Sequence, residues 1–525
     1  MRFLELTLKS KGAQSEQEDA PFSVHEDSAY YIVQTPRVSL RLRKRSAYPG
    51  TYCRIVGPDE LVCGYGSSQP REDEEYLRIV ISRRGSIQVY RDGYATLPVF
   101  YGQSGNTFVL SNDYAFVCKH LPNLTLSKQG TLETLLLNPS SYQLIWQEIH
   151  LLKAVHELSL QEDGTVSVLP TSSRPWMFSW DAPQADAHDF ARYFSQHLDS
   201  FIKLFANEVV AFEISGGLDS ATLPLYMAAR NIPINARAAA MIFPNDFGDS
   251  QKVKLAVLEA VTGLRIEKLP LDVDKHWALK DIMELSRPER HFYANRNTYH
   301  NPSVEFLDSF ANTGVKVVVT GLGGDDCMEN VVDIPRELEH GDIAYARRHD
   351  QIYPRYITTK AIDHYLATAP AASQALPPLP FSVYHAGPGG YNDYIERDIW
   401  PVSPFLNPNL YTYMQGLPAY FRSNKNILRL FHKAYHMPDI IYAASQNEDF
   451  SVFLNKMFTS PYYEQLIRTY AADSVAAGLG YVDSDELLKM YESLKTNTTG
   501  NDREQGELQA YLDMWLNFEI NAHTM

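Results

Sequence analysis

Val209-Val210-Ala211-Phe212-Glu213-Ile214, running into Ser215-Gly216-Gly217-Leu218-Asp219-Ser220, decides how this chain is read. The apolar run predicts a buried strand, and Ala221 to Ala229 predicts a helix. Glycines between a strand and a helix start let the backbone approach an anion, and the helix-start N–H groups point at it. Asp219 falls where a carboxylate would hold a metal bound to the same phosphates. The plain alternative is a tight strand-to-helix turn that binds nothing. The loop lacks the lysine and Ser/Thr of the ordinary P-loop, and it is not the dinucleotide G-x-G-x-x-G.

A second stretch repeats the design. Val317-Val318-Val319-Thr320 predicts a strand that ends in Gly321-Leu322-Gly323-Gly324-Asp325-Asp326. Glycines and acids at a strand's carboxyl end suit a ligand crevice in an open α/β sheet. Asp219 and Asp325 are the candidate metal ligands, because Mg²⁺ takes one or two carboxylates together with phosphate oxygens.

Around these loops lies an ordinary globular composition. The chain has 525 residues, 45% hydrophobic and 21% charged, enough for roughly two to four domains. A net charge of −16 argues against nucleic acid as a general partner. The run Arg41-Leu42-Arg43-Lys44-Arg45 alternates as a strand does and predicts a solvated face; contact with an acidic partner is the other reading. Four cysteines form no C-x-x-C, which suits a reducing compartment. No apolar signal segment follows Met1, and no stretch has the length of a membrane span. The expected location is cytoplasmic, with no membrane partner.

The first ~165 residues alternate over short segments, such as Tyr76–Ser82, Ser86–Tyr90 and Thr107–Ser111, and predict a β-rich domain. Pro170 to Pro175 predicts a linker. Strands then alternate with helices to about residue 330, which predicts a parallel sheet. The remainder reads as mostly helical, with a Pro-rich mobile loop from Pro370 to Gly390. The last helix places Leu508, Tyr511, Leu512, Trp515 and Leu516 on one docking face.

The first loop resembles the S-G-G-x-D-S loop of the ATP pyrophosphatases, and the whole layout resembles the asparagine synthetase superfamily. Residues 92–111 are similar to that family's first-domain hairpin. Ala240-Met241-Ile242-Phe243-Pro244 is similar to its adenine-side strand, and Thr320 to Asp325 to its second loop. Pro404-Phe405-Leu406-Asn407 is similar to its P-F-L-D, and Lys425-Asn426-Ile427-Leu428-Arg429 to its K-x-x-L-R helix. The fold so implied is α/β. A degenerate glutaminase-like, Ntn-hydrolase-like domain over 1–168 precedes a parallel-sheet synthetase domain over 180–525 with a helical C-terminal part.

The resemblance implies ATP and Mg²⁺. Ile214, Ser215, Gly216, Gly217 and Ser220 would cradle phosphates, with Met241, Thr320, Gly321, Gly323 and Gly324 bordering the nucleotide. Asp219 and Asp325 would hold Mg²⁺. Arg2 stands where the family's glutaminases carry their cysteine, so the first domain is expected to be a scaffold without ammonia-producing activity. The family's β-lactam synthetases and lasso-peptide cyclases lack that cysteine too. They adenylate a carboxylate and close a lactam, and the spelling Gly323-Gly324-Asp325 is nearest to the cyclases. Leu322 stands where β-lactam synthetases place a tyrosine base, and Gln446 where the family places a charge-stabilising lysine.

Lys425, Arg429 and Lys433 are the candidate replacement cations, and Glu396 is a candidate base whose other reading is a surface pair with Arg397. His291, His300, His432 and His436 read as core or surface residues, while Tyr293 and Tyr299 are weak candidates for a substrate pocket. The expected activity is an AMP-forming carbon–nitrogen ligase acting on a peptide or amino-acid-derived carboxylate, with a leader-binding or protease partner open. The alternatives are a β-lactam synthetase, an ammonia-dependent ligase, or a nucleotide-binding pseudoenzyme.

Overall fold

Of the 525 residues, the computed structural model describes 2–9, 22–34, 37–57, 60–66, 75–94, 96–137, 144–170, 187–243, 246–272, 275, 279–296, 300–324, 353–368, 389–415, 417–442, 451–496 and 503–524. Alternating side chains build its first part. In Val38–Arg43, for example, Val38, Leu40 and Leu42 are buried while Ser39 and Arg41 are exposed. Such strands form two antiparallel sheets. One runs β11 (Ile149–Leu151), β9 (Phe100–Ser104), β10 (Thr107–Ser111), β1 (Leu4–Lys9), β4 (Val38–Arg43), β3 (Tyr30–Gln34), β2 (Ser23–Glu26). The other runs β13 (Val166–Pro170), β12 (His156–Leu160), β8 (Ile87–Arg91), β7 (Leu77–Ser82), β6 (Glu60–Tyr65), β5 (Thr51–Gly57). Leu4, Leu6 and Leu8 of the first sheet share one core with Leu61, Ile79 and Ile81 of the second.

The third sheet is parallel throughout. Its order is β16 (Ile266–Pro270), β15 (Ala236–Ile242), β14 (Val210–Glu213), β17 (Val317–Val319), β18 (Trp400–Val402). Chain order therefore reverses between β14 and β17. In a doubly wound sheet that reversal opens a crevice at the carboxyl ends of the two strands. Successive residues face opposite sides of the sheet. Phe212, Val317 and Val319 share a core with Phe194, Tyr226 and Phe431, from the helices Ala187–Leu204, Leu218–Ala229 and Asn426–Ala434. Ala211, Ala239 and Val318 pack with Phe306, Leu307 and Phe310 of the helix His300–Ala311.

Several expectations are corrected. Trp400–Val402 is a sheet strand inside the region read as helical. It is three residues long and contains Pro401, which an edge strand tolerates and a sequence pattern hides. The basic run is no solvated face. Arg41 is exposed, but Arg45 is 6% exposed and grips the third sheet. Its guanidinium donates to the Asp398 carboxylate at 2.7 Å and to the carbonyls of Asp398, Tyr48 and Lys316. Trp400 packs against Phe3 and Tyr65, at ring-centroid distances of 5.7 and 4.9 Å, and its indole N–H donates to Glu75. These contacts join the first part of the chain to the parallel sheet.

Tyr293 is buried against Phe100 and Tyr114. The helix Arg503–Ala522 is buried on every side from Tyr511 to Ala522, not on one face alone. Its Glu519 caps the short helix Val475–Gly478, accepting from Ser474 and from the N–H groups of Val475 and Ala476. Most of the Pro-rich stretch 370–390, together with Tyr299 and Gln446, lies outside the described residues. No described helix is long and apolar enough to cross a membrane.

Candidate functional site

The first glycine loop leaves β14 and the second leaves β17, the two strands that flank the reversal. Ile214 still donates to Ala239 of β15, so the loop turns only at Ser215. Gly216 has φ +86°, a conformation that side chains disfavour. The loop is knotted by hydroxyls. Ser215 N–H donates to Ser220 Oγ, and Gly217 N–H to Ser215 Oγ, both at 3.1 Å. Gly217 stands at the N-cap of Leu218–Ala229 and offers no capping side chain. The first-turn N–H groups have no intrahelical acceptor and form an anion-binding end.

The second loop lies directly on the first. A Cβ on Gly321 would sit 2.7 Å from the Ser220 nitrogen, and one on Gly324 would sit 2.3 Å from Asp219 Cγ. Only glycine permits both approaches. Gly323, at φ +86°, packs on Leu406. Thr320 is buried, and its N–H pairs with the Val402 carbonyl. Ser403 holds the carbonyl of Leu322 at 2.6 Å. The P-F-L-N stretch therefore supports the second loop. Its Asn407 starts the helix Pro408–Gln415 by accepting from Asn409 and Leu410.

Lys425 enters from the other side. Its ammonium lies 2.5 Å from Asp219 Oδ2, across 206 positions of sequence, with both side chains nearly enclosed (11% and 12% exposed). Asn424 and Lys425 both hold φ +53°, a left-handed backbone that a side chain adopts at a cost of about 1 kcal/mol. The Arg429 guanidinium donates to the carbonyls of Asn424 and Tyr442, clamping the backbone that presents Lys425.

Glu396 sits apart from these contacts. Arg43 donates to the carbonyls of Ile395 and Glu396. Burial pushes the Glu396 carboxyl up; Asp113 and Asp393 add to the rise and Arg397 opposes it. The residue is half-buried. Asp325 lies outside the described residues.

Gln251 was not singled out in the sequence and is central here. It is 1% exposed on the helix Asp246–Thr262. Its amide donates to the carbonyls of Ser215 (2.7 Å) and Met241 (2.8 Å), tying the carboxyl ends of β14 and β15 together. The available signal was a polar residue on the buried face of a helix beside a glycine loop.

Among the described residues, the loops bring together backbone donors, the Asp219 carboxylate and the Lys425 ammonium at a sheet's topological switch point. Such a set can take up a polyphosphate with a divalent cation.

No family model matches the chain, and no curated protein matches it. Among solved structures, the U34-tRNA thiolase NcsA from Methanococcus maripaludis with its 4Fe-4S cluster overlaps 59% of this chain and 81% of its own, at 11% identity and a TM-score of 0.25. The glutamine phosphoribosylpyrophosphate amidotransferase from B. subtilis, complexed with ADP and GMP, overlaps 61% and 81%, at 8% identity and a TM-score of 0.20.

Proposed function

We propose that the crevice binds ATP and that the protein is an ATP-dependent, AMP-forming carbon–nitrogen ligase. One observation supports this reading above the others. Two glycine loops from the strands flanking the reversal converge on Asp219, and a lysine from far along the chain meets the same carboxylate. A turn that bound nothing would need neither the close approach of Gly324 nor the enclosed ion pair.

Asp219, with Asp325, would hold Mg²⁺, whose charge would offset that of the leaving pyrophosphate. The donor set fits: the position beside Asp219 already accepts a cation, the Lys425 ammonium. The triphosphate would lie along the loop from Ser215 to Ser220, and Lys425 would turn from Asp219 to the phosphates. A substrate carboxylate oxygen then attacks the α-phosphorus, the bond to the β-phosphate oxygen breaks, and pyrophosphate leaves. The amine attacks the acyl carbon, AMP departs, and the amine loses a proton. In the finer reading the amine belongs to the same peptide and a macrolactam closes, as the resemblance to lasso-peptide cyclases implies.

The test is ATP–pyrophosphate exchange with pools of amino acids and peptides. Exchange that requires a carboxylate donor and disappears in Asp219→Ala is the expected result. ATP binding without exchange under every pool would favour the pseudoenzyme, and no ATP binding would sink the reading.

A further inference from the structure

Behind the loops, one turn below Asp219, lies a buried polar contact that the proposed reaction does not use. Thr222 and His432 are both 0% exposed. Thr222 belongs to Leu218–Ala229, the helix that carries Asp219 in its first turn. His432 belongs to Asn426–Ala434, the helix whose N-cap is Lys425. Thr222 Oγ1 lies 2.9 Å from His432 Nε2 and 2.8 Å from the carbonyl of Leu218.

The protons can be placed. The Leu218 carbonyl only accepts, so the Thr222 hydroxyl donates to it and accepts from His432 Nε2–H. Burial, with Arg429 nearby, pushes His432 down to about 3, so the imidazole stays neutral and moves no proton at ordinary pH. The relay His432 to Thr222 to the Leu218 carbonyl links two helices, and it ends on the residue next to Asp219.

We propose that Thr222 and His432 are a positioning pair that fixes the offset between the two helices, so that the Asp219 carboxylate and the Lys425 ammonium meet in register. Hydrophobic contact alone tolerates sliding between helices, whereas a buried hydrogen bond fixes one register. Phe431 and Tyr226 stack beside the pair and supply the packing, so the hydrogen bond is left to supply the alignment.

The inference rests on the reading of the crevice as an ATP site. It is tested on the full chain by calorimetric binding of a non-hydrolysable ATP analogue, with Mg²⁺ and with EDTA. Thr222→Val keeps the shape and removes the hydroxyl; Thr222→Ser keeps the hydroxyl. In Thr222→Val the Mg²⁺-dependent gain in affinity should fall about tenfold, with affinity in EDTA unchanged, and Thr222→Ser should restore the gain. His432→Gln, which keeps an N–H donor, should retain more of the gain than His432→Leu, which covers the case in which Thr222→Val does not fold. A purely structural contact would lower the melting temperature and leave the Mg²⁺ gain alone, and that result overturns the proposal. If the wild-type chain binds no analogue at all, the ATP reading fails instead.

Discussion

Two enclosed ion pairs hold distant parts of this chain together, and they are built from different cations. Asp398 is met by Arg45, whose guanidinium also fills three carbonyls. Asp219 is met by Lys425, which a strained left-handed backbone presents. Arginine's planar fork locks several acceptors at once and stays charged. Lysine is a point charge on a flexible stem that can exchange one anion for another. The first pair is suited to a permanent joint. The second is suited to a contact that opens when a polyphosphate arrives.

The largest effect that would break this contrast is expected at Asp219. Asp219→Ala should abolish exchange and Mg²⁺-dependent nucleotide binding. It should also cost about 3 to 5 kcal/mol of stability, because the enclosed Lys425 ammonium loses the Asp219 charge beside it. Adding Lys425→Met should recover much of the melting temperature and none of the exchange. Equal recovery of both would erase the distinction between a joint and a site.

Arg45→Ala should show the opposite pattern. Unfolding in urea should report a loss of about 3 kcal/mol, while Mg²⁺–ATP affinity stays within about twofold. Gly324→Ala comes next. Its Cβ would fall on the Asp219 carboxylate, and overpacking of about 1 to 3 kcal/mol should appear as weaker nucleotide binding more than as a lower melting temperature.

The smallest effect tests the joint by pH. The Glu75 carboxylate accepts from Tyr48 and Trp400. Burial raises its pKa above the ordinary 4.5, while hydrogen bonds from Thr96, Trp400 and Tyr48 and the charge of Arg45 oppose the rise. The folded state then holds this proton more tightly than the unfolded one. Its contribution is fully present below pH 4.5 and is lost as pH rises through the raised value. Glu75→Gln should flatten that part of the stability profile by less than about 1 kcal/mol and leave nucleotide binding untouched.

What the sequence made legible follows the same division. Both glycine loops and strands β14 and β17 could be read because each is a local pattern: an apolar run, then glycines, then an acid. Lys425 and Asp219 were each singled out, but not their pairing, since nothing local joins positions 206 residues apart. Gln251 and Thr222 were passed over because a lone polar side chain on a helix carries little sign of which face will be buried; His432 read as a core or surface residue, and it is core. Arg45 was misread because the alternation of β4 looks the same whether its last arginines face water or another sheet. Strand β18 was missed because three residues with a proline carry too little pattern. The glycine loops thus wrote themselves into the sequence, while the contacts that align them belong to the fold.

Strand β18 has a consequence for how this chain could be dismantled. On one side it carries Trp400, seated among Phe3, Tyr65 and Glu75; on the other, the Val402 carbonyl holds Thr320 beside the second loop. A cut between Pro170 and Ala187 would strip Trp400 of its aromatic neighbours and leave Asp398 facing Lys316 alone. The excised parallel-sheet half would expose a tryptophan two residues from Val402, which holds the start of the second glycine loop. Such a half would be prone to clump. The leading half is therefore worth keeping in descent for its packing, whatever chemistry it performs or has given up.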